Sequence, residues 1–151
     1  MRRVTLCLLV KENHVLLAMK KRGFGQGLWN GVGGKLNEGE TIKQAAIRET
    51  REEINIIPRE LEKVATVDFL FSDKPEWNQQ MVVFKCTKWE GKPQESEEMK
   101  PRWFKVDRIP LKKMWEADTH WLPKVLSGIS IRAKFIYTAD QKLQKSKLVE
   151  I

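Results

Sequence analysis

Between Thr41 and Ile54 the chain reads as a helix whose apolar stripe turns acidic halfway along. At 100° per residue, Ile42, Ala45 and Ala46 define a stripe about 100° wide. Continued toward the C-terminus, that stripe reaches Glu49, Glu52 and Glu53, the i+7 positions of those three apolar residues. Gln44, Arg48 and Arg51 fall on the far side. A solvated surface helix turns its carboxylates outward; this pattern points three toward the interior or a cleft. Glu49 and Glu53 form an i,i+4 like-charge pair, unfavourable by about 0.2–0.5 kcal/mol even when exposed and by more in a cleft. Arg48 can pair with Glu52 at i+4, but one arginine does not balance three carboxylates. All-oxygen ligation without His or Cys suits Mg²⁺, with Mn²⁺ as the second choice.

Seven of the nine glycines fall between Gly23 and Gly39, a density that marks a loop turning tightly or approaching a ligand. Gly33-Gly34-Lys35 leads into the helix, and Lys20-Lys21-Arg22 leads into the loop. Bare backbone N–H groups, a helix N-terminus and nearby cations make a polyphosphate cradle. It is not a Walker loop, because G-x-x-x-x-G-K-[ST] is absent. Nor is it the dinucleotide fingerprint, because the acids lie inside the helix. A divalent metal beside a phosphate cradle implies hydrolysis or transfer at phosphate.

The remaining elements predict an α+β fold in one domain, residues 1–151. Val4–Val10 and Val15–Met19 read as a hairpin, and Val64–Phe71 with Met81–Cys86 as a second strand pair. Arg102–Val106 reads as a short strand, Thr119–Leu126 as a helix, and Ile131–Thr138 with Leu143–Val149 as a last hairpin. Thr41 is the expected helix cap and Asn55 the expected terminator. No apolar run approaches the ~20 residues of a membrane span, and Met1-Arg2-Arg3 before Val4–Val10 falls short of a secretory leader. Cys7 and Cys86, without C-x-x-C or a Cys/His cluster, read as core thiols in a reducing compartment, so the cytoplasm is expected. The net charge is +8, and +4 of it lies from Lys124 onward. That bias attracts polyanions but does not choose among them.

The segment GKLNEGETIKQAAIRETREEINI, Gly34 to Ile56, resembles the Nudix box, G-x5-E-x7-R-E-U-x-E-E-x-G-U with U aliphatic. Gly34, Glu40, Arg48, Glu49, Glu52, Glu53 and Ile56 match at the required spacing, while Thr50 stands for an aliphatic residue and Asn55 for the glycine. MKKRGFGQGLWNGVGGK, ESEEMKPRWF and IPLKKMW extend the likeness to the MutT-like Nudix hydrolases that act on oxidised purine nucleoside triphosphates. The resemblance implies a mixed sheet between helices, an α/β/α sandwich. It also implies attack of water at the β-phosphorus, giving the monophosphate and pyrophosphate. It carries the catalytic group onto Glu49, Glu53 and Arg48, with either Glu as general base. It carries the metal ligands onto Gly33, Glu49, Glu52, Glu53 and Glu98.

The same resemblance gathers Thr5, Lys20, Phe24, Asn30, Gly33, Gly34, Lys35, Phe69, Phe71, Trp115 and Asp118 around the substrate, a small nucleotide such as 8-oxo-dGTP or 2-hydroxy-dATP. Taken alone, Asn30 suits a purine edge or a turn, Trp115 a base stack or the core, and Lys20 a phosphate or solvent. Asp118 suits a purine edge or the start of a helix. Where the resembling enzymes carry two adjacent aspartates, this chain reads Trp115-Glu116-Ala117-Asp118, which keeps only the second. Two other readings stay open. One is hydrolysis of another diphosphate-linked substrate, a capped RNA end or a dinucleotide. The other is a non-catalytic nucleotide-binding module. A monomer without membrane contact is expected.

Overall fold

A computed structural model describes residues 1–151. The chain opens with the expected hairpin, β1 (Arg2–Lys11) and β2 (His14–Lys20), which pair only over Leu9–Lys11 and His14–Leu16. The glycine segment was expected to be a loop, yet it contains two short strands, β3 (Trp29–Asn30) and β4 (Val32–Lys35). β4 lies antiparallel on the first half of β1, with Gly33 opposite Leu6 and Gly34 opposite Thr5. The glycines make this a strand rather than a loop by letting β4 lie closely against both β1 and the helix that follows.

That helix, α1, spans Ile42–Ile54. Thr41 caps it reciprocally: its Oγ1 accepts from the Gln44 N–H at 3.1 Å, and Gln44 Oε1 accepts from the Thr41 N–H at 2.9 Å. Asn55 ends it in the left-handed region, φ 62°. Thr50 is fully buried, and its hydroxyl is satisfied by the Ala46 carbonyl at 2.7 Å. The polar substitution in the aliphatic position of the motif therefore leaves no orphaned group.

After α1 come β5 (Ile57–Pro58), β6 (Glu62–Phe71), β7 (Gln79–Cys86), β8 (Trp89–Glu90) and β9 (Met99–Lys105), then α2 (Asp118–Leu126) and the closing hairpin β10 (Ile131–Tyr137) and β11 (Leu143–Glu150). One mixed sheet of nine strands runs β11-β10-β6-β7-β1-β2-β3, with β4 on β1 and β9 on β2; β5 and β8 pair separately. β1 runs parallel to β7, and β10 parallel to β6.

Alternation along β1 sorts the core into two layers. Val4, Leu6 and Leu8 face a layer with Trp121, Leu122 and Val125 of α2. Cys7 and Leu9 face the layer that holds Ile54 of α1, while Ala46 packs on Val82 and Phe84. The two helices thus cover opposite faces of the sheet, giving the α/β/α sandwich of the α+β class. No helix is long and apolar enough to cross a membrane.

Asn55→Ala should lower the unfolding free energy by about 1 kcal/mol, because a Cβ without the Asn amide is strained at positive φ. Asn55→Gly should match or exceed the parent; urea denaturation of the three proteins checks the order.

Candidate active site

The acidic helix meets the sheet where the sheet has no side chains. A Cβ on Gly34 would lie 2.6 Å from Glu49 Cδ, and one on Gly33 would lie 1.7 Å from the Thr5 carbonyl oxygen. Bare backbone at both positions lets α1 press its carboxylates onto β4. Glu53 is half-buried there, beside Glu49 and the Gly33 N–H, and its Oε2 is buried without a partner. Burial, then the neighbouring Glu49 charge, push Glu53 up to about 8, while Lys20 and the Gly33 N–H pull the other way.

Arg48, placed on the far side of the helix by periodicity and expected to pair with Glu52, makes that pair and lies at the centre of a wider ion network. Its guanidinium reaches Glu40 at 2.7 Å, Glu49 at 2.9 Å, Glu52 at 3.1 Å and the Lys35 carbonyl at 2.9 Å. It thereby ties the loop before α1, the end of β4 and the acidic stripe to one planar group. Glu52 was expected to point inward. Its side chain is 60 % exposed, drawn to the open side by Arg48. Glu98 is also held outward, by Arg22 at 2.6 Å on the neighbouring loop, where Lys21 in turn pairs with Glu95. No three acidic, His or Cys side chains already converge to hold a metal. The close pair is Glu49 and Glu53, and an orphaned carboxylate oxygen facing a second acid is a donor set that fits a divalent cation.

Beyond Gly33 and Gly34 opens a cleft of about 730 Å³. All eleven residues expected around a nucleotide line it: Thr5, Lys20, Phe24, Asn30, Gly33, Gly34, Lys35, Phe69, Phe71, Trp115 and Asp118. Phe24 stacks on Trp115 with ring centroids 5.3 Å apart. Asn30 serves the turn and the cleft together, since its Oδ1 accepts the Gly31 N–H at 2.9 Å and its amide nitrogen is left over. Thr5 Oγ1 is buried without a partner. Asp118 is 2 % exposed; its Oδ1 accepts from Trp121 Nε1 at 3.0 Å, and its Oδ2 has no partner. Burial pushes Asp118 up to about 7 against the pull of that hydrogen bond.

An acidic pair packed behind the glycine backbone of the cleft and a lone carboxyl among its aromatics agree with the comparisons. Residues 1–125 match the family model for the NUDIX domain. The chain belongs to the Nudix family. This Nudix hydrolase is 46 % identical over 147 residues to the oxidized purine nucleoside triphosphate hydrolase of Mus musculus, covering 97 % of this chain and 94 % of that protein. It is 41 % identical over 148 residues to the protein of the same name from Danio rerio, covering 98 % and 94 %. Among solved structures it is similar to a MutT protein from Bacillus halodurans, with TM-score 0.85, 31 % identity and coverage of 98 % and 97 %. Nudix hydrolases generally need a divalent metal.

Several cleft residues of this Nudix hydrolase carry no signal in the sequence. Arg2 and Gln79 come together only because β1 and β7 run parallel in register, their side chains 3.2 Å apart. Met81, Trp77 and Tyr137 enter from strands and a turn distant in the chain.

Ionising Glu53 costs stability as pH rises, because its folded value lies above the ordinary carboxylate range. That stability is fully present below about 4.5 and is lost as pH rises through about 8. In metal-free buffer Glu53→Gln should therefore gain on the parent in melting temperature between pH 5 and pH 9. An unchanged gap would show Glu53 to be solvated.

Proposed function

We propose that this Nudix hydrolase is a Mg²⁺-dependent nucleoside triphosphate diphosphatase that prefers oxidised purines such as 8-oxo-dGTP or 2-hydroxy-dATP, releasing the monophosphate and pyrophosphate. The observation that carries this reading is Asp118, a buried carboxyl with one oxygen held by Trp121 and the other unpartnered in the cleft, in a chain whose near full-length relatives bear that substrate in their names. Oxidation changes which edge atoms of a purine carry protons. A carboxyl that titrates near 7 can donate to one pattern and accept from the other. Asn30, with its amide nitrogen free, supports a second contact on the same edge.

In this reading Lys20, Lys35 and the bare backbone of Gly33 and Gly34 hold the triphosphate. Gly33, Glu49, Glu52, Glu53 and Glu98 are the groups to hold the metal, Glu52 and Glu98 by turning inward from Arg48 and Arg22. A bound divalent ion supplies neutralisation of polyphosphate charge and acidification of water. Glu53 or Glu49 would take the proton from the attacking water as a carboxylate, and Arg48 fixes the carboxylate of Glu49. Water oxygen bonds the β-phosphorus as the bond to the α,β-bridging oxygen breaks, and the leaving monophosphate keeps that oxygen. Ala117 is fully buried and offers no second carboxyl, so base selection rests on Asp118 and the preference among damaged purines is narrow.

The same reading takes the protein as a cytoplasmic monomer, and the two buried free thiols suit a reducing compartment.

Turnover of a panel of ordinary and damaged triphosphates with Mg²⁺ tests the reading. The expected result is a preference for a damaged purine, loss of turnover on chelation, and a fall of about 10²-fold or more in Glu53→Gln with nucleotide binding retained. Equal rates across the panel, or faster release from a capped RNA end, overturn the substrate assignment. In Asp118→Asn the preference for the damaged purine should fall about tenfold while the ordinary triphosphate is cleaved as before.

A further inference from the structure

The turn that carries Trp115 and Asp118 into the cleft is anchored from outside itself. Ala117 precedes the first residue of α2 and has no side chain with which to cap it. The Ala117 N–H is fully buried, and its acceptor is the hydroxyl oxygen of Tyr137 on β10, 3.1 Å away. Tyr137 is itself buried and held by two rings of the neighbouring strand β6: Phe71 stacks at 5.7 Å and Phe69 lies at 6.4 Å. Because the hydroxyl oxygen is occupied by Ala117 and finds no acceptor for its own proton within the protein, that proton is available to the cleft that Tyr137 lines.

We propose that Tyr137 is a positioning residue for base selection: its hydroxyl pins the Ala117 N–H, and through it sets where Trp115 and Asp118 stand in the cleft. The proposal rests on the reading that Asp118 meets the base. It makes a residue twenty positions away in the chain, on a different element, a determinant of which purine is accepted. A shape-only role for the ring does not require the oxygen, whereas this one does. Asp118 and Glu116 act on the Tyr137 phenol, and the cations Arg2, Lys20 and Lys35 line the same cleft as Asp118. Burial and the neighbouring Asp118 and Glu116 push the Tyr137 phenol up to about 12, so it stays a neutral hydroxyl over the working range.

Tyr137 is the only tyrosine in the chain, so uniform incorporation of 3-fluorotyrosine labels this position alone. In the full protein without nucleotide, the ¹⁹F resonance should move with pH along the ionisation of Asp118, with a midpoint near 7 that is absent in Asp118→Asn. Tyr137→Phe removes only the oxygen. It should raise KM for the preferred purine triphosphate about three- to tenfold and leave kcat within about twofold. It should also shift the Asp118 limb of the kcat/KM profile downward as water reaches a loosened turn. A ¹⁹F signal indifferent to Asp118, or a Tyr137→Phe enzyme with unaltered KM and pH profile, overturns the proposal. The fluorine titration needs no substrate, so it stands or falls separately from the assignment of oxidised purines. Should Tyr137→Phe not fold, the fluorotyrosine protein, whose hydroxyl is a weaker acceptor of the same shape, provides the same kinetic comparison.

Discussion

One guanidinium holds the acidic end of this molecule in order. Arg48 bonds to the loop acid Glu40, the helix acids Glu49 and Glu52, and the carbonyl of Lys35 at the end of β4. Without it, α1 would carry three acids along one edge with nothing to set their spacing from the glycine backbone. With it, Glu49 is committed to Arg48, and Glu53 is left with one buried oxygen that no group in the protein meets. Two carboxylates four residues apart thus acquire different environments, one neutralised by a cation and one desolvated. Burial and its acidic neighbour set Glu53 apart, pushing it above the ordinary carboxylate range.

The other half of the cleft uses the same physics without a cation. Asp118 lies in an aromatic and aliphatic setting where desolvation outweighs a single indole hydrogen bond. The turn that bears it lacks a capping side chain of its own and borrows a hydroxyl from β10. On the proposed reading, phosphate chemistry and base reading depend on different elements, α1 with β4 in one case and α2 with β10 in the other, joined through the central strands of one sheet. Changes at one end can alter selectivity while leaving the chemistry at the other intact.

Much of this was legible in the chain. The acidic continuation of the α1 stripe, the caps at Thr41 and Asn55, the paired strands and the closing hairpin all follow from local periodicity and turn chemistry. The expected errors are equally physical. The i,i+4 spacing gave Arg48 only Glu52 as a partner, yet its long side chain also reaches Glu49 on its own helix and Glu40 in the loop before it. Helical periodicity placed Glu52 inward, although a residue at the margin of a stripe goes where its ion partner takes it. The glycine segment looked like loop because glycine weakens strands in general, and most of it is turn and loop; the short strand Val32–Lys35 was missed, where only glycine fits against Thr5 and Glu49.

By itself the sequence determined the local vocabulary of this protein: an acidic helix, a bare backbone ahead of it, an aromatic and acidic run near residue 115, and the spacing that marks the family. Tertiary structure alone decided which distant groups share a cleft and which acid is left unpaired. The parallel registers of β1 with β7 and of β6 with β10 bring Arg2 to Gln79 and Tyr137 to Phe71. Only packing gives Asp118 its buried, half-satisfied state. The reason is range. Periodicity and capping act over a few residues and are written in consecutive letters, whereas desolvation and charge pairing depend on what the folded sheet sets nearby from elsewhere in the chain.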